Sequence, residues 1–351
     1  MMQKYQLVNV DLSRNNAGGK APSDISIFAE ECGYKRIELQ VRFVNNLISK
    51  IFTNIKLIFN IIKIPKLNKG DVLLIQFPFY FKSFVNSFFL MKLKQMKKNG
   101  VHILVLLHDV NELRFDTPQN RNNLDLINQI GCYFIVHNQN MINYLETRQF
   151  EHDTLVNLII FDYKLDNKIL AKKTFSRNVI IAGSLDEKKS LYLSQLKTIK
   201  NVNFILYGPN YNPQTTGASN IFYKGCVSHD VLPSKFEDGF GLIWDGNSID
   251  CCSGGTGEYL KYNNPHKMSL YIASGLPVII WSKAAQASFV LDNGIGFVID
   301  SMDELEEKLS QITESQYNNY LNAVSALSEK IQNGYFTKSA LKKCEDSIKL
   351  I

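Results

Sequence analysis

The sequence alternates short apolar runs with longer segments of helical pattern along most of its length. Strands that are apolar throughout are typical of a parallel sheet covered by helices on both faces, so the predicted fold class is α/β with doubly wound parallel sheets. The predicted strands are Tyr5–Val10, Val72–Phe77, His102–His108, Tyr133–His137, Asn178–Ala182, Asn203–Tyr207, Gly241–Trp244, Pro277–Trp281 and Gly296–Ile299. The predicted helices of the first half are Ser23–Cys32, Phe84–Lys98, Gln119–Ile130 and Asn140–Phe150.

The chain is long enough for two domains, because 351 residues correspond to about two units of ordinary size. The polar, lysine-rich segment Tyr163–Ser176 separates the two runs of strands and is the predicted linker. We therefore predict one domain over residues 1–162 and a second over 177–335. The helical pattern of Glu314–Ile351 predicts that residues 336–351 form a helix that crosses back.

Composition excludes several classes of protein. With 45% hydrophobic residues, the chain is neither disordered nor fibrous. Its net charge of +6 favours anionic partners without being a nucleic-acid signature. An apolar run of about 18 residues is absent, as is a leader-like apolar run at the N-terminus, so we expect a cytoplasmic protein.

Several catalytic motifs are missing. The sequence lacks the glycine fingerprint of dinucleotide binding after its first strand, the phosphate-binding loop of NTPases, the zinc-protease pair of histidines and the nucleophile elbow of α/β-hydrolases. Its six cysteines form no C-x-x-C pair, and no two aspartates stand two residues apart. A metal site is therefore not expected, since hard cations require clustered carboxylates.

The segment Gly241–Trp281 is the richest in polar and glycine residues. A strand ends at Trp244-Asp245, a long polar loop follows, and Pro265 suits the first position of a new helix that carries Lys267 in its first turn. A helix N-terminus with a lysine is a favourable site for an anion. The alternative is a solvated lysine on a surface helix.

Two glycine turns follow later strands and have the same chemistry. Gly183 ends one strand and precedes Lys188 and Lys189, which we place at the start of a helix, where they suit a phosphate. Tyr207-Gly208 ends the next strand and is able to present a ring or backbone groups to a base or sugar. The alternative for the first turn is a plain connection followed by a charged helix.

The first half offers a glycine-rich loop and a candidate base. The loop runs from Ser13 to Lys20 and contains Gly18 and Gly19. His108 and Asp109 follow a strand, and ligands of open α/β sheets lie beyond the carboxyl ends of the strands. Asp109 is the preferred general base, with His108 as the alternative and Glu112 as a third candidate, whereas a helix cap is the structural reading of Asp109.

Two segments combine apolar and basic residues. Val41–Leu67 interleaves large apolar side chains with lysines, and Phe77–Lys98 ends in the cluster Lys92–Lys98. Such segments either lie on an anionic membrane surface or form core helices with a solvated lysine face.

Five stretches of the sequence resemble a known family. DLSRNNAGGKA, HDVNELR, IIAGSL, LYGPNY and the block LIWDGNSIDCCSGGTGEYLKYNNPHKMSLYIASGLPVIIW resemble bacterial β-1,6-galactofuranosyltransferases of O-antigen assembly. The chain is more distantly similar to the glucosyltransferases that extend glycans of serine-rich-repeat adhesins. The resemblance runs in order from about Tyr5 to about Phe336.

The resemblance implies a GT-B fold, in which two Rossmann-like domains face each other across a cleft. It further implies that the C-terminal domain holds a UDP-sugar, that the N-terminal domain faces a glycan or lipid-linked glycan acceptor, that transfer is inverting without an essential metal or cofactor, and that the protein is a homo-oligomer. In the adhesin relatives, a basic residue after the first glycine turn and a lysine in the NPHK-like position contact the diphosphate. These positions correspond to Lys188 or Lys189 and to Lys267, and the aromatic residue after the next strand corresponds to Tyr207.

The predicted catalytic residues are thus Asp109 and His108. The predicted substrate-binding residues are Gly18, Gly19, Lys20, Gly183, Lys188, Lys189, Tyr207, Gly208, Val227, Asp245, Tyr259, Asn264, His266 and Lys267. The expected activity is galactofuranosyl transfer in O-antigen or polysaccharide biosynthesis, β-1,6 to a glucose-configured acceptor, with peripheral contact at the inner face of the membrane and no nucleic-acid partner. Two alternatives stay open: a UDP-glucose or other UDP-hexose transferase, and a non-catalytic partner of another transferase.

Overall fold

The computed structural model describes residues 2–11, 19–41, 47–79, 81, 83–114, 118–166, 173–188 and 190–349. Over these residues the chain divides into two compact units. Unit 1 comprises residues 1–137, 141–158 and 337–351, and unit 2 comprises residues 138–140 and 159–336. Each unit is built on one parallel sheet of six strands with flanking helices.

The sheet of unit 1 has the strand order β2-β1-β3-β4-β5-β6. Its strands are β1 Lys4–Asp11, β2 Lys35–Val41, β3 Val72–Phe77, β4 His102–Leu107, β5 Tyr133–Val136 and β6 Leu155–Asn157. The helices along this half are α1 Lys20–Glu31, α2 Leu47–Ile62, α3 Ser83–Lys98, α4 Asn111–Arg114, α5 Pro118–Asn128 and α6 Gln139–Thr147, with a 3-10 turn at His152–Thr154. Strands β3 and β4 pair from Val72 with His102 to Phe77 with Leu107, so both end at one level.

The sheet of unit 2 has the order β12-β11-β10-β7-β8-β9. Its strands are β7 Val179–Ala182, β8 Phe204–Tyr207, β9 Ile221–Tyr223, β10 Phe240–Ile243, β11 Val278–Trp281 and β12 Gly296–Ile299. The α-helices are α7 Pro213–Thr216, α8 Leu232–Lys235, α9 Gly254–Glu258, α10 His266–Ala273, α11 Ala287–Asp292, α12 Leu305–Gln311 and α13 Glu314–Gln332, and the 3-10 helices are Leu191–Thr198, Tyr259–Lys261 and Met302–Glu304.

The final helix, α14 Tyr335–Lys349, belongs mostly to unit 1. Lys4 on β1 donates to the carboxylate of Glu345 at 2.8 and 2.9 Å, and the Tyr34 hydroxyl donates to Glu345 Oε1 at 3.0 Å. The single predicted helical segment from Glu314 to Ile351 is therefore two helices. They are separated at Gly334, whose φ of 72° lies in the region that favours glycine.

Three strands were not predicted from the sequence, and each lies at the edge of a sheet: β2, β6 and β9. An edge strand has only one neighbouring strand, so its burial is partial and its sequence need not be apolar throughout. In β9, for example, Ile221 is buried whereas Phe222 and Tyr223 are exposed. All nine predicted strands are found, with bounds that differ by one residue at some ends.

Across the described residues, no helix combines the length and apolar content that crossing a membrane requires.

Candidate active site

Two glycine turns meet at the carboxyl edge of the sheet in unit 2. Ala182 pairs with Tyr207, so Gly183 and Gly208 leave their strands side by side, and the Gly183 N–H donates to the Tyr207 carbonyl at 3.0 Å. Both glycines have positive φ, 132° and 145°. A Cβ on Gly208 would lie 1.7 Å from the Gly183 carbonyl oxygen, whereas a Cβ on Gly183 would have no atom of the described residues within 4 Å. The chain therefore leaves open space beside Gly183, which is where a ligand has room.

Lys267 lies in the first turn of α10, beside the end of β10. Its Nζ donates to Asp245 Oδ1 at 2.8 Å and to the Trp244 carbonyl at 3.0 Å. The lysine side chain is 22% exposed and the aspartate side chain 27% exposed, so the pair remains in contact with solvent. Pro265 is the residue before the helix rather than its first residue. A partly exposed lysine at a helix N-terminus, held in place by two acceptors, is an arrangement suited to an anion.

The polar loop between β10 and α10 is closely packed on itself. A Cβ on Gly246 would lie 2.1 Å from the Ser253 carbonyl oxygen, and a Cβ on Gly257 would lie 2.5 Å from the carbonyl carbon of Cys252. The Trp244 indole N–H donates to the Ser248 carbonyl at 2.9 Å. Close backbone packing explains why the loop is rich in glycine, and it fixes the segment that carries Asp245.

Lys188 is exposed and lies in a turn. Its backbone N–H donates to Asp186 Oδ1 at 3.0 Å, and the neighbouring Glu187 carboxylate accepts from the Thr216 hydroxyl at 2.8 Å. The helix that follows is a 3-10 helix that begins at Leu191. The prediction that the lysine stands at a helix start is therefore wrong. Lys189 and Gly18 lie outside the described residues.

Tyr207 is buried, with 3% of its surface exposed. Its hydroxyl donates to the Lys235 carbonyl at 2.8 Å, and its ring packs edge-on against Phe236 with centroids 5.3 Å apart. Of the two possibilities for this turn, the free aromatic ring is wrong because the ring is part of the core, and the presentation of backbone groups stays a prediction. Near the turn, the half-buried ring of Tyr211 stacks on the exposed ring of Tyr223, with centroids 4.4 Å apart.

Four other predicted substrate-binding residues lie in unit 2, and each is buried, half-buried or in contact with a neighbouring side chain. Asn264 is buried and accepts from Asn138 Nδ2 at 2.8 Å, while its own amide donates to the Ile159 carbonyl at 3.2 Å. The imidazole of His266 lies 5.2 Å from the ring of Tyr163. The remaining two are Tyr259, which is buried, and Val227, which is half-buried in the loop after β9.

In unit 1, Lys20 forms a buried ion pair. Its Nζ lies 2.7 Å from Asp24 Oδ1, with side-chain exposures of 7% and 1%. Breaking a buried pair leaves an uncompensated charge, so this lysine is not available to a ligand anion as the sequence suggested. Gly19 precedes α1, and a Cβ there would meet open space.

His108 and Asp109 follow β4 at the carboxyl edge of the unit 1 sheet. His108 Nε2 lies 2.6 Å from Gln76 Oε1, and the Gln76 amide donates to the Pro22 carbonyl at 3.1 Å. Asp109 Oδ2 accepts from Arg114 Nη1 at 2.8 Å, with both side chains more than a quarter exposed. Asp109 is thus an accessible carboxylate at this edge, ion-paired within its own loop.

Glu112 has an environment that differs from that of Asp109. Its side chain is 3% exposed, and Oε1 accepts from the Tyr144 hydroxyl at 2.9 Å and from Arg148 at 2.5 Å. Oε2 is buried and has no hydrogen-bond partner among the residues that the structure describes. Burial raises the pKa of this carboxyl above its usual value, although Tyr144 and Arg148 oppose the shift.

Glu112 lines a cavity of about 420 Å³ between the loops after β3 and β4 and the helices α3 and α5. Aromatic residues Phe77, Phe79 and Phe81 form part of its wall. Asn86 also lines it, and the Asn86 side-chain oxygen is a second buried acceptor that receives no hydrogen bond from the described part of the chain. Aromatic walls with a few unsatisfied acceptors are suited to a ligand that carries hydroxyl groups.

His137 supports this edge from below and was not singled out from the sequence. It is fully buried after β5, and burial lowers its pKa to about 4, although hydrogen bonds to the backbone of Leu107 and His108 oppose the shift. The imidazole is therefore neutral near pH 7, and it holds the end of β4, from which His108 and Asp109 project. Among the residues described, no three His, Cys, Asp or Glu side chains form a group that would hold a metal ion.

Family comparisons cover both units. The profile described as Glucosyltransferase 3-like, N-terminal domain, matches residues 4–160, and the corresponding C-terminal domain profile matches residues 179–344. The β-1,6-galactofuranosyltransferase WbbI of Escherichia coli strain K12 is 32% identical, over 98% of this chain and 99% of the relative. Glucosyltransferase 3 of Streptococcus gordonii is 26% identical over 78% of each chain.

Solved structures show the same fold. The lipopolysaccharide outer core galactosyltransferase WaaB superposes with a TM-score of 0.59 at 8% identity, covering 98% of this chain and 99% of the other. A trehalose-6-phosphate protein from E. coli, bound with UDP-2-fluoro glucose, superposes with a TM-score of 0.56 at 10% identity, covering 97% and 99%. At such identities the likeness concerns the fold alone.

Proposed function

Because the chain belongs to the glucosyltransferase 3-like family and is a glycosyltransferase with the two Rossmann-like domains of the GT-B fold, we propose that it transfers galactofuranose from UDP-galactofuranose to a sugar hydroxyl of a glycan. The proposed linkage is β-1,6 to a glucose-configured acceptor, with inversion at the anomeric carbon. The observation that carries the proposal is the 32% identity with the E. coli galactofuranosyltransferase over nearly the whole of both chains.

Unit 2 supplies the donor site in this proposal. Lys267, at the start of α10, exchanges its Asp245 contact for the diphosphate, and the open space beside Gly183 receives the nucleotide. Lys188, exposed on the turn that follows, adds a second positive charge. As the bond between the anomeric carbon and the phosphate oxygen breaks, negative charge accumulates on UDP, and these lysines stabilise it.

Unit 1 supplies the base. The acceptor oxygen bonds to the anomeric carbon, its proton passes to a carboxylate, and UDP departs with the electron pair of the broken bond. Asp109 is the proposed base, because it is an accessible carboxylate at the carboxyl edge of the sheet. Glu112 is the alternative, because its Oε2 has no hydrogen-bond partner among the described residues and burial raises its pKa, which makes it a stronger base than an ordinary glutamate.

The experiment that tests the function is a donor panel. Purified protein is incubated with UDP-galactofuranose, UDP-galactopyranose and UDP-glucose in the presence of alkyl glucosides, with and without a metal chelator, and products are analysed by mass spectrometry and NMR. We expect a β-1,6-galactofuranosyl product that persists with the chelator. Transfer of glucose alone would favour the glucosyltransferase alternative, which the S. gordonii relative supports. UDP binding without transfer to any acceptor would indicate a non-catalytic partner.

A further inference from the structure

Helix α2 has two faces, and one of them is apolar yet exposed. Leu57 and Ile61 on the inner face are buried, at 3% and 0% exposure. On the outer face four large apolar side chains recur at helical spacing and have exposures between 45% and 68%. They are Phe52, Ile55, Phe59 and Ile62. Because the other side of the helix already packs on the core, this exposed stripe is not needed to fold the unit.

The neighbouring helix α3, which contacts α2, also carries exposed apolar side chains. Phe84 and Met91 lie seven residues apart on α3, at 55% and 59% exposure. Lys94 and Lys98 follow on the same side of α3, one and two turns beyond Met91, and both are exposed. We call the six apolar residues of the two helices the α2–α3 face: Phe52, Ile55, Phe59, Ile62, Phe84 and Met91.

The segment of sequence that contains the α2–α3 face carries charge of almost one sign. From Leu39 to His108 the sequence contains eleven lysine and arginine residues and a single acidic residue, Asp71. The whole chain has a net charge of only +6, so the rest of the molecule is net negative. Lys56 and Lys63, both exposed, lie beside the apolar stripe of α2.

From the exposed apolar side chains and the positive charge of this segment, we propose that the α2–α3 face binds the surface of an anionic lipid bilayer. Exposed Phe and Ile side chains enter the interface between headgroups and acyl chains, while the lysines contact lipid phosphates. A second copy of this chain is disfavoured, because two such faces would bring their flanking lysines together and like charges repel. Helix α2, with 16 residues and a length of about 24 Å, would lie in the plane of the surface.

Vesicle flotation with the full chain tests this inference. We expect binding to phosphatidylglycerol-containing vesicles at low salt, little binding to phosphatidylcholine vesicles, and release at high salt. The double variant Phe52→Ser/Phe59→Ser should weaken binding at least about tenfold. Replacing two exposed apolar residues of unit 2, in Phe222→Ser/Leu291→Ser, is the matched control and should leave binding unchanged.

The charge contribution has its own pair of variants. Lys56→Gln/Lys63→Gln should weaken binding, by about fivefold per lysine removed, whereas Lys342→Gln/Lys343→Gln on α14 should not. Equal binding by the Phe52→Ser/Phe59→Ser variant and the wild type, or no flotation of the wild type at low salt, would overturn the proposal. Analytical ultracentrifugation tests whether a second copy of the chain binds this face instead. If the wild type is an oligomer and the Phe52→Ser/Phe59→Ser variant dissociates, the face is an interface between copies and the proposal is wrong. Because none of these measurements uses a sugar donor, their outcome is independent of the proposed transfer reaction.

Discussion

Lys267 has two acceptors, the Asp245 carboxylate and the Trp244 carbonyl, and a diphosphate would compete with both for the same Nζ. A hydrogen bond to a charged group contributes about 1.5–3 kcal/mol. Lys267→Ala should therefore weaken UDP binding about ten- to a hundredfold in titration calorimetry, without unfolding the protein. Lys308→Ala is the matched control, because Lys308 also pairs with a carboxylate, Glu304, at 2.8 Å, and with a strand carbonyl, that of Val298, at 2.9 Å. Equal losses in both variants would remove Lys267 from the site.

The base is tested by two substitutions that keep shape and remove basicity. Asp109→Asn should lower the transfer rate about 10²–10⁴-fold while UDP affinity is retained, and Asp153→Asn, an exposed carboxylate of the same unit, should have no effect. A base must be deprotonated, so a base of raised pKa loses activity as pH falls through that value. If Glu112 is the base, the acid limb of the rate profile lies above the ordinary glutamate pKa and disappears in Glu112→Gln, whereas Asp109→Asn retains it.

Among the secondary-structure elements, the sequence predicted the central strands of both sheets and missed three of the four edge strands. Central strands such as β3 are buried on both sides and must be apolar, so their composition reveals them. The edge strand β2 has seven residues, but they alternate between polar and apolar. The strand therefore contains no continuous apolar run that would predict it. The apolar content of a strand reflects how much of it is buried. A strand that is half exposed therefore lacks the apolar run by which a buried strand is recognised.

The candidate site was predictable to the extent that its residues are close in sequence. The Pro-His-Lys sequence after a polar loop predicted a helix with Lys267 in its first turn, and that lysine does lie in the first turn of α10. The environment of Glu112 depends instead on Tyr144 and Arg148, which lie 32 and 36 residues away along the chain. No local pattern encodes such a contact, and the same reason explains why the burial of Tyr207 against Phe236 was not expected.

The close approach of the two glycine turns predicts how strongly a side chain at Gly208 lowers the stability of unit 2. Gly208→Ala forces a positive φ of 145° on a residue with a side chain and places its Cβ 1.7 Å from the Gly183 carbonyl oxygen. We expect a loss of about 3 kcal/mol or more in the stability of unit 2. Gly294→Ala, with φ of 59° and open space around the Cβ, should lose only about 1–2 kcal/mol. Urea unfolding followed by tryptophan fluorescence measures both, since Trp244 and Trp281 lie in unit 2.

At the scale of the whole molecule, the two units should respond separately to substitution at Glu345. This residue of α14 accepts from Lys4 and Tyr34, all within unit 1. Glu345→Ala leaves both donors without their partner and should destabilise unit 1 by about 2 kcal/mol. Hydrogen exchange at β1 should accelerate while the tryptophan-reported transition of unit 2 is unchanged. Asp346→Ala, at the neighbouring exposed position, should change neither, and a shift of both transitions would mean that the units unfold as one.

The return of α14 to the first sheet also orders events during synthesis. A ribosome releases β1 early, yet its partner Glu345 is made 341 residues later. Nearly all of unit 2 has been translated by then, because it spans residues 159–336 without interruption. The second unit is thus able to complete its sheet first. The first unit, although most of it is synthesised earlier, is completed only when α14 has been synthesised. A stalled or prematurely terminated polypeptide would carry an intact second unit beside an unfinished first one.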